Sequence, residues 1–160
     1  MNSYNLEGLR DLVLFSLDES GYALPLSLVD RVVRIVEITT LPKAPEIVMG
    51  VINMQGLVIP VINVRRRFRL PEREIQLEDR LIIARTSGRL AALVADSVSG
   101  VRKFKEQELV LARQELPYAG YIEGVVKLEQ GLFLICDLGR FLSLEEEKSL
   151  DTALSEGSPL

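Results

Sequence analysis

The chain contains no histidine and no tryptophan, and a single cysteine among 160 residues. Without histidine it lacks the commonest general base, the Ser-His and Cys-His nucleophile pairs, and the commonest metal ligand. An enzyme is therefore disfavoured, and no cofactor or metal is expected. One cysteine rules out an internal disulfide and suits a reducing compartment. Cys136 stands in an aliphatic run with no cation or helix N-terminus beside it to activate the thiol, and reads as core. Long apolar runs are also missing. The longest, Leu57 to Ile62, Leu90 to Ala95 and Leu132 to Cys136, are five or six residues, against the roughly 20 that span a bilayer. Met1 to Arg10 carries no apolar signal-peptide core. These features together predict a cytoplasmic protein with no direct membrane insertion. Excess positive charge is absent as well: the net charge is −4 and aromatics make up 6%. A nucleic-acid binder needs a clustered basic face, and a single-strand binder needs exposed aromatics too. Nucleic acid is not an expected partner.

Apolar residues, at 48%, are present in sufficient amount for a core. A chain of this length is one domain or two very small ones. The stretch Leu41 to Phe68 reads as a Pro-rich turn, a strand, a tight turn at Gln55-Gly56, a second strand and a short basic helix. It recurs. Leu116 to Gly124 echoes Leu41 to Gly50 with one residue deleted; Val125 to Gly131 echoes Val51 to Gly56 with one inserted; Leu132 to Phe141 echoes Leu57 to Phe68. The first quarter recurs too: Leu12 to Leu17, then Gly21 to Leu24, match Leu81 to Thr86, then Gly88 to Ala91. Residues 12–68 and 81–141 are therefore read as two versions of one supersecondary unit.

In chain order, Leu12–Leu17 and Tyr22–Pro25 form a hairpin whose turn, Asp18 to Gly21, offers Gly21 for a positive φ. Ser27 to Arg31 is expected to be a helical turn, and Val32 to Ile38 a strand, with Val98 to Phe104 as its counterpart. Leu70 to Asp79 is the longest loop. Arg80–Thr86 and Arg89–Ala95 form another hairpin. Ser143 and Glu146 have capping-box spacing, so a C-terminal helix is expected to about Leu154. Residues 1–9 and 155–160 are expected to be flexible. Short strands broken by Gly and Pro, duplicated, predict an all-β protein of two small barrels. Each half of about 60 residues is marginal alone, and packing them together cures that. It also creates a groove suited to a partner's helix.

Other features read as structure rather than chemistry. Gly50, Gly56, Gly124 and Gly131 form no phosphate-loop pattern and read as turn residues. Arg65-Arg66-Arg67 and Arg69 read as a solvated helix face. Asn63 and Asp137 read as helix caps. A paired acid–base site would need a second carboxylate held opposite Asp137; Glu123 and Asp96 are the candidates, and nothing in the sequence places either there.

Several motifs together resemble the CheW-like family of bacterial chemotaxis coupling proteins, to which the regulatory domain of the kinase CheA is related. They are Tyr22-Ala-Leu-Pro-Leu26, Val29 with Val32-Val33-Arg34, Leu41-Pro-x-Ala-Pro45, Gly50-Val-Ile-Asn53, Gly56-x-Val-Ile-Pro-Val61, Gly88-Arg89, Val94-x-Asp96-x-Val98 and Gly124-Val125. The resemblance covers about residues 10–146. It implies two intertwined, five-stranded SH3-like barrels packed together, here followed by a C-terminal helix. It implies a non-enzymatic adaptor that bridges a chemoreceptor's cytoplasmic tip, held in the inter-barrel groove, to a CheA-type histidine kinase, whose regulatory domain meets the barrel ends. The implied receptor-groove residues are Val29, Arg31, Asn53, Gln55, Gly56, Val61 and Val98; no kinase-contact residue can be named. Two positions depart from the pattern: Gln55 stands where the family carries arginine, and Arg31 where glutamate is common. A monomer in isolation and an array member in the cell is expected. The rival readings are an adaptor of a non-motility chemosensory pathway with a non-standard receptor, a small nucleic-acid-binding barrel, and an enzyme.

Overall fold

The structure, a computed structural model, describes residues 11–86, 88–112 and 120–156. Strands β1 (Asp11–Leu17), β2 (Ser20–Pro25) and β3 (Val29–Arg34) are followed by β4 (Val48–Met54) and β5 (Leu57–Ile62). Helix α1 (Val64–Arg67) follows, then β6 (Arg80–Thr86), β7 (Arg89–Ala95), β8 (Ser97–Lys103) and β9 (Leu109–Ala112). The last described elements are β10 (Ile122–Leu128), β11 (Gly131–Cys136) and α2 (Leu144–Glu156), with 3-10 turns at Leu26–Leu28, Glu106–Glu108 and Leu138–Arg140. The protein is all-β with short helices.

The strands form a six-stranded sheet, in the order β8-β1-β2-β11-β10-β9, and a five-stranded sheet, in the order β3-β6-β7-β5-β4. Neither sheet is contiguous in sequence. The β1–β2 hairpin sits among β8 to β11, and the β6–β7 hairpin sits among β3 to β5. Parallel pairs splice each hairpin in: Ile135 beside Ala23 on β11 and β2, and Val61 beside Ala92 on β5 and β7. This exchange of hairpins intertwines the sheets.

The exchange explains why β1 and β6 are continuously apolar rather than alternating: both faces are buried. Leu12 and Leu14 face a core inside the six-stranded sheet, with Val126 and Ile135. Leu81 and Ile83 face an equivalent core in the five-stranded sheet, with Ile52 and Val61. The opposite faces, Phe15 and Leu17 of β1 and Ile82 and Ala84 of β6, meet in a third core between the sheets. Leu150 and Ala153 of α2 close that third core at 0% and 1% exposure. Ser143 starts the helix as its spacing predicts. Its Oγ accepts from Glu146 N at 3.1 Å, and Glu146 Oε1 accepts from Ser143 N at 2.8 Å.

Several local expectations need correction. The first sheet has six strands, because β9 adds to β10; in the other sheet the matching place is held only by an isolated bridge between Thr39 and Val51. The helical turn is Leu26–Leu28, and Val29 already begins β3. That strand ends at Arg34, since β6 offers pairing only from Ala84 to Arg80; Ile35 and Ile38 instead pack on the five-stranded sheet's core. Helix α2 runs to Glu156, beyond Leu154. The expectations for residues 1–9 and for 157–160, and the echo at Leu116 to Ala119, lie outside the described residues.

Two glycine matches in the repeat are out of register. Strand pairing puts Gly21 opposite Ser16 within a strand, whereas Gly88 precedes Arg89, the partner of Thr86, at a turn with φ +84°. A Cβ on Gly21 would lie 2.7 Å from Phe133 Cδ2 and 2.8 Å from Leu132 O, so close approach, not turn geometry, requires this glycine. The positive φ of its hairpin belongs to Asp18, at 55°. Likewise Gly131 pairs with Leu128 as Leu57 pairs with Met54, so no residue is inserted and Gly131 is not the counterpart of Gly56. Both mismatches paired glycines that do different work.

Arg66 and Arg69 are exposed, as a solvated face requires, but Arg65 and Arg67 are not. Arg65 is buried and ion-paired to Asp18 and Asp96 at 2.9 and 2.8 Å. Arg67 donates to Tyr121 Oη at 2.8 Å and to Glu146 Oε2 at 2.9 Å, with its guanidinium 5.0 Å from the Tyr121 ring centre. Arg66 pairs with Glu72 at 2.6 Å. Asn63 caps α1 by accepting from Arg66 N, whereas Asp137 makes no capping bond and lies 3.9 Å from Arg140.

Candidate functional site

The β4–β5 hairpin ends in a two-residue turn between Met54 and Leu57. Gln55 and Gly56 both take positive φ, 56° and 86°, as a type I′ turn requires. Gly56 bears this without cost, and Gln55 holds a backbone conformation that side chains rarely adopt. Asn53 braces the turn: its Oδ1 accepts from Gly56 N at 2.9 Å. Its side chain is thereby turned toward the hairpin end rather than into a core.

On β3 a register shift between Val29 and Arg31 leaves Asp30 as an extra residue opposite β6. Such a bulge re-aims the side chains around it. Arg31 Nε donates to Asp30 Oδ2 at 2.9 Å. Arg31 and Gln55 now line one open hollow, with Asp30, Met54, Leu57 and Leu90 beside them and Ile59 and Ile83 as its floor. Leu57 is 52% exposed there. The hollow has an apolar base and a polar rim of one cation, one anion and one amide. It contains no nucleophile–base pair, and its chemistry is that of contact.

The remaining sequence-derived residues fall elsewhere. Val61 is fully buried in the five-stranded sheet's core and has no surface to offer a partner. Val29 and Val98 are half-buried on β3 and β8, each packed against the core between the sheets. Their registers correspond, since Val29 lies opposite Ala84 and Val98 opposite Phe15, and each is followed by a bulge position. Met54, Leu57, Leu90 and Asp30 were not named from the sequence. Leu57 carried a usable signal, an apolar residue directly after a polar turn, in phase with Ile59 and Val61. Leu90 carried none, because only the pairing of β7 with β5 brings it near.

Asp96 is engaged by two arginines, Arg65 and Arg73, rather than by a second carboxylate. Burial pushes the Cys136 thiol far up from its ordinary pKa, so it stays protonated and unreactive. Among the described residues no group of acidic, Cys or His side chains is placed to hold a metal, and no helix is long and apolar enough to cross a membrane.

Two interlocked small β-sheets carry a hollow whose apolar floor and polar rim offer contact. Comparison with known proteins identifies the class. Residues 11–146 match the CheW-like domain family, and the chain belongs to that family. The chemotaxis protein CheW of Bacillus subtilis is 30% identical over 140 residues, covering 86% of this chain and 90% of that protein. CheW of Thermotoga maritima is 27% identical over 132 residues, covering 82% and 87%. The crystal structure of the scaffolding protein TtCheW from Thermoanaerobacter tengcongensis superposes with a TM-score of 0.78 at 30% identity, over 86% of this chain and 94% of that one.

Proposed function

We propose that this chain is a non-enzymatic adaptor that couples chemoreceptors to a CheA-type histidine kinase in chemotaxis signal transduction. It acts by holding the two in fixed relative orientation. The finer assignment is that a receptor's cytoplasmic tip lies against the Arg31–Gln55 hollow and its flanking strands. The kinase's regulatory domain meets the barrel ends, and the protein is a cytoplasmic monomer that joins receptor arrays at the inner face of the membrane. The unit that does this spans residues 10–146, built of related halves 12–68 and 81–141. The register correspondence of Gly50 with Gly124, which follow a bulge in each strand and pair with Val61 and Ile135, supports the two-half reading.

The observation that carries the site is the convergence of Arg31 and Gln55, remote in sequence, on one hollow with an apolar floor. Each contact need be worth only a few kcal/mol, because an array multiplies weak contacts through effective concentration. The experiment is calorimetric titration of a receptor-tip fragment and, separately, of an isolated kinase regulatory domain. Arg31→Ala and Leu57→Asp should each weaken tip binding about tenfold, roughly 1.4 kcal/mol, and leave kinase binding unchanged. Unaltered tip binding in both variants would move the receptor site elsewhere.

A further inference from the structure

We propose that Asp96 is a positioning residue that fixes how the two sheets are set against each other, acting through Arg65 and Arg73. The inference rests on the adaptor reading for its consequence, and on geometry for its substance. Asp96 is the single residue between β7 of the five-stranded sheet and β8 of the six-stranded sheet. Its backbone N–H donates to Ser16 O of β1 at 2.9 Å. Its carboxylate accepts from Asp18 N in the β1–β2 turn at 2.6 Å, from Arg65 Nη2 at 2.8 and 2.9 Å, and from Arg73 Nη2 at 2.6 Å. One carboxylate therefore ties the six-stranded sheet's turn, the helix that follows β5, and the 70–79 loop that leads into β6.

Both arginines are engaged on their other side. Arg65 also meets Asp18 Oδ1 at 2.9 Å and donates to Pro71 O at 2.9 Å. Arg73 also pairs with Asp79 at 2.8 and 3.1 Å, and Asp79 accepts from Gln76 N at 2.8 Å. The chain of contacts Asp18–Arg65–Asp96–Arg73–Asp79 runs from one sheet to the other through a mostly buried guanidinium. Charge-assisted bonds of this kind are directional. The apolar core between the sheets is not: hydrophobic burial resists separation but discriminates poorly between neighbouring orientations. Among the described residues, the end of the β6–β7 hairpin shows no such brace. There Arg89 of β7 pairs instead with Glu147 and Asp151 of α2, and α2 closes the joint with Leu150 and Ala153. Among the described residues, the ionic joint is thus built once. With Asp96 neutralised, two arginines remain facing each other with no anion between them, and the 70–79 loop loses the anchor it has through Arg73 to β7 and β8.

The test uses the full chain with Asp96→Asn, Arg73→Gln and Asp96→Glu. Arg73→Gln leaves the Asp18–Arg65–Asp96 contacts in place and guards against simple unfolding by Asp96→Asn. Amide exchange across residues 70–79 should rise about tenfold in Asp96→Asn and Arg73→Gln, with exchange in β6 and β7 unchanged. Each variant should bind the receptor-tip fragment alone, and the kinase regulatory domain alone, within twofold of wild type. Yield of the three-component complex at matched concentrations should fall at least fivefold, and Asp96→Glu should restore most of it. A brace that merely stabilised the fold would lower binary and ternary binding together. Wild-type exchange and wild-type ternary yield in both neutralised variants would overturn the proposal, as would a binary loss equal to the ternary one. If wild type itself bridges nothing, the adaptor reading fails; the exchange measurement still decides whether Asp96 anchors the joint.

Discussion

Single residues in this fold divide by what their backbone or their side chain must do. Gly56 and Gly21 illustrate the division. Nothing lies within 4 Å of a Cβ placed on Gly56, so Gly56→Ala costs only the left-handed backbone strain, about 1–2 kcal/mol. Gly21→Ala drives a methyl into Phe133 and the Leu132 carbonyl, an overpacking cost of about 1–3 kcal/mol that relaxation of Phe133 must share. Urea unfolding should show both losses. Only Gly21→Ala should be partly relieved by adding Phe133→Leu, which makes room beside the ring while the Leu132 carbonyl stays in place. Gln55 is the residue through which partner choice is tested. Its position in an exposed turn lets an arginine replace it without disturbing the fold. A charge-assisted bond is worth roughly 1.5–3 kcal/mol against about 0.5–1.5 for a neutral one. Gln55→Arg should therefore tighten binding to a generic receptor tip by about 1 kcal/mol, near fivefold, with kinase-domain binding unchanged. Titration of both partners checks it; equal tip affinity in the two proteins would take Gln55 out of the contact.

At the scale of elements, the C-terminal helix shows how a terminal segment is tied to a β fold. Its buried positions are few, and the capping box and Arg67–Glu146 pair hold its first turn. Leu150→Ala, at a fully buried position between the sheets, should destabilise by about 2–5 kcal/mol. Ser143→Ala should cost about 0.5–2 kcal/mol. Thermal or urea unfolding measures both, and a smaller effect for Leu150 than for Ser143 would mean that the helix is held by its end rather than by its face. Strands and hairpins were legible in the sequence because β-branched and aliphatic runs alternate with Gly, Asn and Asp turns. Arg80–Thr86 and Arg89–Ala95 are the strands their residues suggest. What was not legible is which hairpin belongs to which sheet. That is decided by parallel pairs between β2 and β11 and between β5 and β7, contacts whose partners lie far apart in the chain and leave no local signature. The same reason left the hollow itself unread. Family resemblance assigned Arg31 and Gln55 to the same groove, but their meeting over Ile59 and Ile83 depends on the five-stranded sheet being assembled from both halves. Arg65 and Arg67 were misjudged because a three-arginine run looks solvated until Asp18, Asp96, Tyr121 and Glu146 arrive from other elements.

For the molecule as a whole, the ion pairs give stability a definite pH dependence. Burial raises the carboxyl pKa of Asp79, but Arg73 and the Gln76 N–H outweigh it and leave it below the ordinary value. Glu146 behaves alike: burial raises it, and the Ser143 N–H and Arg67 bring it lower overall. The hydrogen bond from Arg66 lowers Glu72. A carboxyl depressed in the folded state binds protons more readily when unfolded, so its contribution is complete above the unfolded pKa of about 4. It is lost as pH falls through that value toward the folded one. Urea midpoints should be flat with respect to these groups from pH 7 to about 5.5 and fall steeply below about 4.5, and Asp79→Asn should flatten the decline.

The central claim is that one chain without catalytic chemistry joins two partners. It is tested most directly with lipid vesicles that display a receptor-tip fragment, sedimented with a labelled kinase regulatory domain in the presence and absence of this protein. The kinase domain should stay in solution with vesicles alone. It should co-sediment when the protein is added, reaching a maximum near equimolar amounts and declining at large excess, as a bridging molecule in excess separates its own partners. Kinase recruitment without the protein, or none at any concentration of it although each partner binds it alone, would contradict the account.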